Sequence, residues 1–277
     1  MLRHTLPMVH NQVASAPAPK DDWLTVCAVS LLAGMICDVV HEGLGHALVA
    51  LLTVAPSGTL STVAWSSAFD SRLVAAAGTL ANLVAAGICW LLLKRTRTAS
   101  PSARLFWLLC CAFNLFTGTG YFFFSGVSNF GDWAVVIAGM RPHALWQGLL
   151  VLVGVLGYWG AIVAIGIGVV RYVGVPLGEA SRFRRLTLVP YVSAVVLSFV
   201  AGLMNPVGLK YVLLSALPAS AGGDCGLLWM RYYIPRKTVP RTNSDPVGRG
   251  WAWISVCAAC TLGFIFILGR GITLHRW

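Results

Sequence analysis

The stretch Trp23–Val54, WLTVCAVSLLAGMICDVVHEGLGHALVALLTV, is apolar along almost its whole length, yet it carries Asp38, His41, Glu42 and His46. A helix needs about 20 apolar residues to cross the hydrocarbon core of a bilayer, and this run is long enough. Ionisable side chains at that depth are costly, and where they occur they usually serve a function. Two questions follow: whether the rest of the chain is also built for a membrane, and what four such residues would do inside one.

Composition answers the first. Of the 277 residues, 57% are hydrophobic and 10% charged, with mean hydropathy +0.77; soluble domains carry about 25% charged residues. Apolar runs recur at 23–54, 73–93, 104–127, 145–170, 186–204, 207–230 and 250–269. Each is expected to be helical, because a lipid-exposed segment must satisfy its own backbone hydrogen bonds. The sequence therefore predicts an all-α polytopic membrane protein with about seven transmembrane helices. The Ser- and Thr-rich stretch 55–71 (APSGTLSTVAWSSAFDS) reads as a loop, a short hairpin or a segment dipping back into the membrane. The break at Asn205-Pro206 reads as either a loop or a kink.

The net charge of +11 does not point to nucleic acid, because Lys and Arg cluster in the connectors between apolar runs. With the N-terminus cytoplasmic, Arg72, Arg141, Lys210, Arg270 and Arg276 fall on the far side and the other fifteen of the twenty basic residues on the cytoplasmic side. That asymmetry is what cytoplasmic loops carry, so we expect a multi-pass protein of the cell (inner) membrane with its N-terminus inside. Residues 1–22 are polar and Ala/Pro-rich, read as a flexible cytoplasmic tail without the apolar core of a cleaved signal peptide. The eight cysteines lie in or beside apolar runs and read as buried free thiols, Cys257 and Cys260 included.

The second question concerns the residues out of place. Asp38, Glu42, Asp132, Asp224, His41 and His46 are the acids and histidines that fall in or against apolar runs. A polar knot joining helices by hydrogen bonds is one reading. The cluster His41-Glu42-Gly43-Leu44-Gly45-His46 favours another. Neutral imidazoles bind Zn2+, and three protein ligands leave a position for water. A neighbouring carboxylate can then act as general base. In the pattern HExxH the two histidines lie four apart on one helix face. Here they lie five apart, about 140° around a regular helix at about 100° per residue. A local i→i+5 turn would bring them back together, and such bulges are frequent at functional sites. Gly43 and Gly45 would ease the distortion. In a regular helix the aligned residues would instead be Asp38, Glu42 and His46. Depth bears on the third ligand. His41 lies about 27 Å along an outward span at 1.5 Å per residue, toward the outer leaflet. Asp132 follows an outward span, whereas Asp224 lies deep in an inward one, so Asp132 is the better partner and Asp224 the alternative.

HEGLGHALVALL resembles the active-site helix of site-2 proteases, the intramembrane zinc metallopeptidases. AAGTLANLVAAG, with Gly78 and Asn82, is similar to that family's Gly-Pro-x-x-Asn element, Thr79 standing where the family has Pro. SGVSNFGDW places Asp132 where the family has the Asp of Leu-Asp-Gly, with Gly-Asp-Trp in its place. The six-residue HExxGH form is also similar to the motif of the soluble dipeptidyl peptidase III family, which implies that an inserted residue is compatible with zinc. The site-2 protease resemblance covers roughly residues 35–135. It implies a three-helix metallopeptidase-like core, with His41, His46 and Asp132 as Zn2+ ligands, Glu42 as general base and Asn82 orienting substrate.

The expectation is then a catalytic core over 23–140, with 141–277 adding further helices to the same membrane domain. It would hydrolyse membrane-protein or membrane-proximal peptide substrates. Two other readings stand beside it: a pseudo-protease scaffold of the same fold, and a cation or proton transporter using the buried acids.

Overall fold

A computed structural model describes residues 20–95 and 99–276. Seven helices are long and apolar enough to cross a membrane. In chain order they are α1 (Trp23–Thr53), α2 (Arg72–Arg95), α3 (Pro101–Ser128), then, after the short helix α4 (Asp132–Ile137), α5 (His143–Val173), α6 (Ala180–Leu203), α7 (Val212–Tyr233) and α8 (Trp251–Leu268). The protein is thus a polytopic, all-helical membrane protein. Most of the expected tail 1–22 lies outside the described residues. Its last two positions do not behave as tail: Asp22 caps α1 by accepting from the backbone of Thr25 at 2.9 Å, and Asp21 is buried against Arg182.

Local chemistry sets the helix ends. Ser100 accepts from Ala103 N ahead of Pro101, a residue suited to the first turn. Asn129, in the left-handed region at φ 50°, ends α3. Helix α6 begins at Ala180, six residues before the apolar run does. Arg182 lets its first turn stay polar by pairing with Asp21 through Nε at 2.9 Å and Nη2 at 3.1 Å. The Asn205-Pro206 feature is a true break, since α6 stops at Leu203 and the chain turns through Gly208 at φ +71°.

Contacts at the two ends of the bundle agree with seven alternating spans. At one end Arg182 meets Asp21, Ser244 and Asp245, Gly250 N donates to Thr25 Oγ1, and Arg241 N donates to Arg171 O. At the other, Arg276 reaches Leu51 O, Arg72 reaches Ala138 O and Ser215 reaches Val63 O. Helix α3 is the central element, its apolar stretch the most buried of the seven, with Phe113 and Phe116 fully enclosed. Helix α8 is the most peripheral, and Val256, Leu262, Phe266 and Ile267 face outward, as lipid-facing residues do.

The segment 55–71 is a hairpin. Strands β1 (Ser57–Leu60) and β2 (Trp65–Ser66) pair antiparallel, with Thr59 opposite Ser66. A third strand, β3 (Ile272–His275), adds to the other edge of β1, with Ser57 opposite His275. This strand follows the last span and no apolar or turn signal announced it. All eight cysteines are free.

Candidate metal centre

Helix α1 is not regular throughout. Over Val39–Ala47 it widens into π-helix, and the Leu48 N–H bonds back to Gly43 O, five residues earlier. That winding brings residues five apart over one another, so His41 and His46 share a face, with ring centroids 4.8 Å apart at 82°. The distortion asked for by the spacing is present. His46 faces His41 and Asp132, whereas Asp38 and Glu42 line a neighbouring cavity.

The two glycines of the motif differ in role. Neither has positive φ. A Cβ on Gly43 would meet only ordinary contacts, the nearest Val39 Cγ1 at 3.6 Å. A Cβ on Gly45 would fall 2.4 Å from the Cα of Gly78. Gly45 and Gly78 therefore let α1 and α2 touch backbone to backbone. A Cβ on Gly78 would sit 2.4 Å from His46 Nε2 and 2.9 Å from His41 Cε1, so Gly78 also leaves room for both imidazoles.

The outer nitrogens of the rings are held by named acceptors. His46 Nδ1 lies 2.7 Å from the carbonyl of Val74 on α2, which can only accept. His41 Nδ1 lies 2.6 Å from Asn82 Oδ1. The Asn82 amide hydrogens are directed elsewhere, to Cys37 O at 3.1 Å and Asn114 Oδ1 at 2.8 Å. Both Nδ1 atoms therefore donate, and in a neutral imidazole the other nitrogen then carries a lone pair.

Those lone pairs converge. The two Nε2 atoms are 3.2 Å apart, and Asp132 Oδ2 lies 3.2 Å from His41 Nε2 and 3.3 Å from His46 Nε2. Asp132 arrives from the first turn of α4, beyond the left-handed residues Asn129 and Gly131. Three electron-rich atoms so close repel one another unless a cation lies between them. Ligands around tetrahedral zinc at about 2.0–2.1 Å stand about 3.3–3.4 Å from one another, and the observed triangle has nearly those edges. Its Asp132 Oδ2 has no hydrogen-bond partner among the described residues. The donor set, two imidazoles and a carboxylate with both rings anchored from behind, suits a divalent metal.

Among the described residues, His41, His46 and Asp132 form the His/Cys/Asp/Glu group able to hold a metal. Asp224 is not part of it. Asp224, Asp38 and Glu42 instead line a cavity of about 70 Å³ that reaches His41. Glu42 is buried, and its Oε2 accepts from the backbone N–H of Trp65 on β2 at 2.8 Å, tying the hairpin to the motif. Tyr121 on α3 stacks on His41 at 4.8 Å. Sequence reasoning did not single out Val74, whose contribution is a backbone carbonyl and leaves no trace in residue type. Asn114 was findable, as a lone amide in the middle of an apolar run. In comparisons with known proteins, no family model, no curated protein and no solved structure matches this chain.

Proposed function

We propose that the protein is a membrane-embedded zinc metallopeptidase, as its resemblance to site-2 proteases implies. The observation that carries the reading is the triangle of His41 Nε2, His46 Nε2 and Asp132 Oδ2, with edges of 3.2–3.3 Å and both Nδ1 protons directed away. Zn2+ held there would polarise the scissile carbonyl and acidify water. Glu42, next in sequence to His41, would serve as the general base for a water acidified there and then as the proton donor to the leaving amine. Its bond from Trp65 N leaves the second carboxylate oxygen for this task and joins the proton acceptor to the hairpin. Asn82, with both amide hydrogens and its carbonyl engaged, acts as a positioning residue that fixes the tautomer and orientation of His41.

Residues 23–140 then form the catalytic core, a three-helix unit of α1 to α3 with α4, and 141–277 supply further helices of the same membrane domain. Substrates are membrane proteins or membrane-proximal peptides. The excess of basic residues at one end of the bundle supports a cytoplasmic N-terminus in a cell (inner) membrane. The test uses purified full-length protein with bound metal quantified and cleavage of a panel of transmembrane peptides followed. Glu42→Gln is expected to retain one zinc per chain and lose cleavage by about 10²–10⁴-fold. Wild-type protein without stoichiometric zinc, or Glu42→Gln cleaving as fast as wild type, overturns the proposal.

A further inference from the structure

The cavity that Glu42 lines is bounded by α1, α3, α6 and α7. Its walls are polar in an unusual way. Asp38 Oδ2, Asp224 Oδ1 and Thr62 Oγ1 are buried and have no hydrogen-bond partner among the described residues. Asp224 and Thr62 are 6% and 7% exposed, so these are buried side chains lining a partly open cavity. The hydroxyls of Ser215 and Ser220 already donate to Val63 O at 2.8 Å and Ala216 O at 2.6 Å, which leaves their oxygens as acceptors. Among the described residues, no Lys or Arg lines the cavity. The His41 ring at its edge is committed to Asn82 and the metal triangle.

Asp224 is held in place rather than drifting. Helix α7 departs from α-helix there, through a π turn at Pro218–Gly222 and a 3-10 turn at Gly223–Cys225. Tyr158 of α5 fastens this break by accepting from Gly226 N at 2.7 Å and donating to Gly223 O. A buried carboxylate is costly unless a cation or strong donors meet it. Here three carboxylates, Asp38, Glu42 and Asp224, border one cavity whose described walls contribute no Lys or Arg to meet them.

We propose that this cavity is a specificity pocket for a primary ammonium group, the head of a lysine side chain beside the scissile bond of the substrate. The proposal rests on the metallopeptidase reading for the word substrate, but the site itself does not. An ammonium carries three donors and no acceptor on a slender apolar stem, which complements walls offering acceptors between apolar residues such as Val63, Leu197 and Phe264. Asp224 and Asp38 receive the head, and the pocket's contact with Glu42 and His41 sets that lysine next to the reacting carbonyl. The later helices α6 and α7 would then supply selectivity to a centre built by α1, α2 and α4.

Binding is tested on the intact detergent-solubilised protein without any need for turnover. Thermal unfolding is followed against n-butylammonium, n-butanol and tetramethylammonium. Butylammonium is expected to raise Tm in a concentration-dependent way. Butanol lacks the charge and tetramethylammonium lacks the N–H donors, and neither should do so; Asp224→Asn should abolish the effect. No shift with butylammonium, or an equal shift with either control, overturns the pocket, and because these three ligands are compared on the wild-type protein, that outcome holds even if the variant misfolds. A second arm compares peptides with Lys, norleucine, Gln or Glu on either side of the cleaved bond. The lysine peptide should be cleaved with at least about tenfold higher kcat/KM. Cleavage without lysine preference refutes the pocket. If no peptide is cleaved but butylammonium still binds through Asp224, the pocket stands and the metallopeptidase reading falls.

Discussion

Gly78→Ala should disable the candidate metal centre through a single methyl group. The new Cβ would lie 2.4 Å from His46 Nε2, 2.8 Å from His46 Cε1 and 2.9 Å from His41 Cε1. Ordinary contact begins at 3.4 Å, so the His46 ring must retreat by about 1.0 Å or α2 must move off α1. Moving α2 off α1 would open the close Gly45–Gly78 backbone contact and draw Val74 O and Asn82 away from the two rings. The ring cannot swing freely, being tied by Nδ1 to Val74 O at 2.7 Å. Metal–ligand distances tolerate roughly 0.2 Å, so a shift several times larger removes His46 from the ligand set. We expect zinc affinity to fall by at least about 100-fold, comparable to or beyond the effect of losing an outer-shell partner. Overpacking should also cost about 1–3 kcal/mol of stability. The assay is competition against a chromogenic chelator, with metal stoichiometry measured in parallel. Gly43→Ala is the control, its Cβ meeting nothing closer than 3.6 Å, and it should bind zinc nearly as wild type does. A Gly78→Ala protein that is folded and binds zinc within threefold of wild type would show that the triangle is not a preformed metal site.

Three other outcomes follow from the same geometry. Asn82→Ala leaves His41 Nδ1, Cys37 O and Asn114 Oδ1 without their partner, and zinc affinity should drop about 10–100-fold in the same competition assay. Asp21→Ala strips a buried carboxylate from Arg182 and from Val247 N; thermal unfolding in detergent should show a loss of about 3–5 kcal/mol, with zinc binding of the folded fraction unchanged. For Asp22, burial would raise the carboxyl, but bonds from Thr25 and from Arg249 outweigh it and lower the group below its ordinary value of 3.8. A depressed folded pKa means stability that is present above that ordinary value and lost as pH falls through the folded one. Asp22→Asn should therefore flatten the acid side of the stability profile, and an unchanged acid limb would count against the cap.

Much of this architecture is legible in residue order alone. Apolar runs of bilayer length mark all seven spans, because lipid demands the same property of every position in a helix. The His41-Glu42…His46 cluster is visible for the complementary reason, that ionisable residues inside such a run are too costly to be incidental. The five-residue spacing even states the required distortion, since only an i→i+5 winding lets both rings face one way. What residue order could not convey is convergence between segments far apart in the chain. Depth along the spans already favours Asp132 over Asp224, but the contact itself depends on the left-handed Asn129 and Gly131, which redirect the chain into α4. The role of Gly45 lies in the surface of α2 and not in its own helix. Strand β3 pairs with β1 across most of the chain's length, and Val74 contributes through its carbonyl. Backbone groups are the same in every residue, so only tertiary structure can say which of them a side chain finds. The grouping of Asp38 and Asp224 around one cavity is of the same kind: hydropathy marks each as out of place, and only packing shows that they are out of place together.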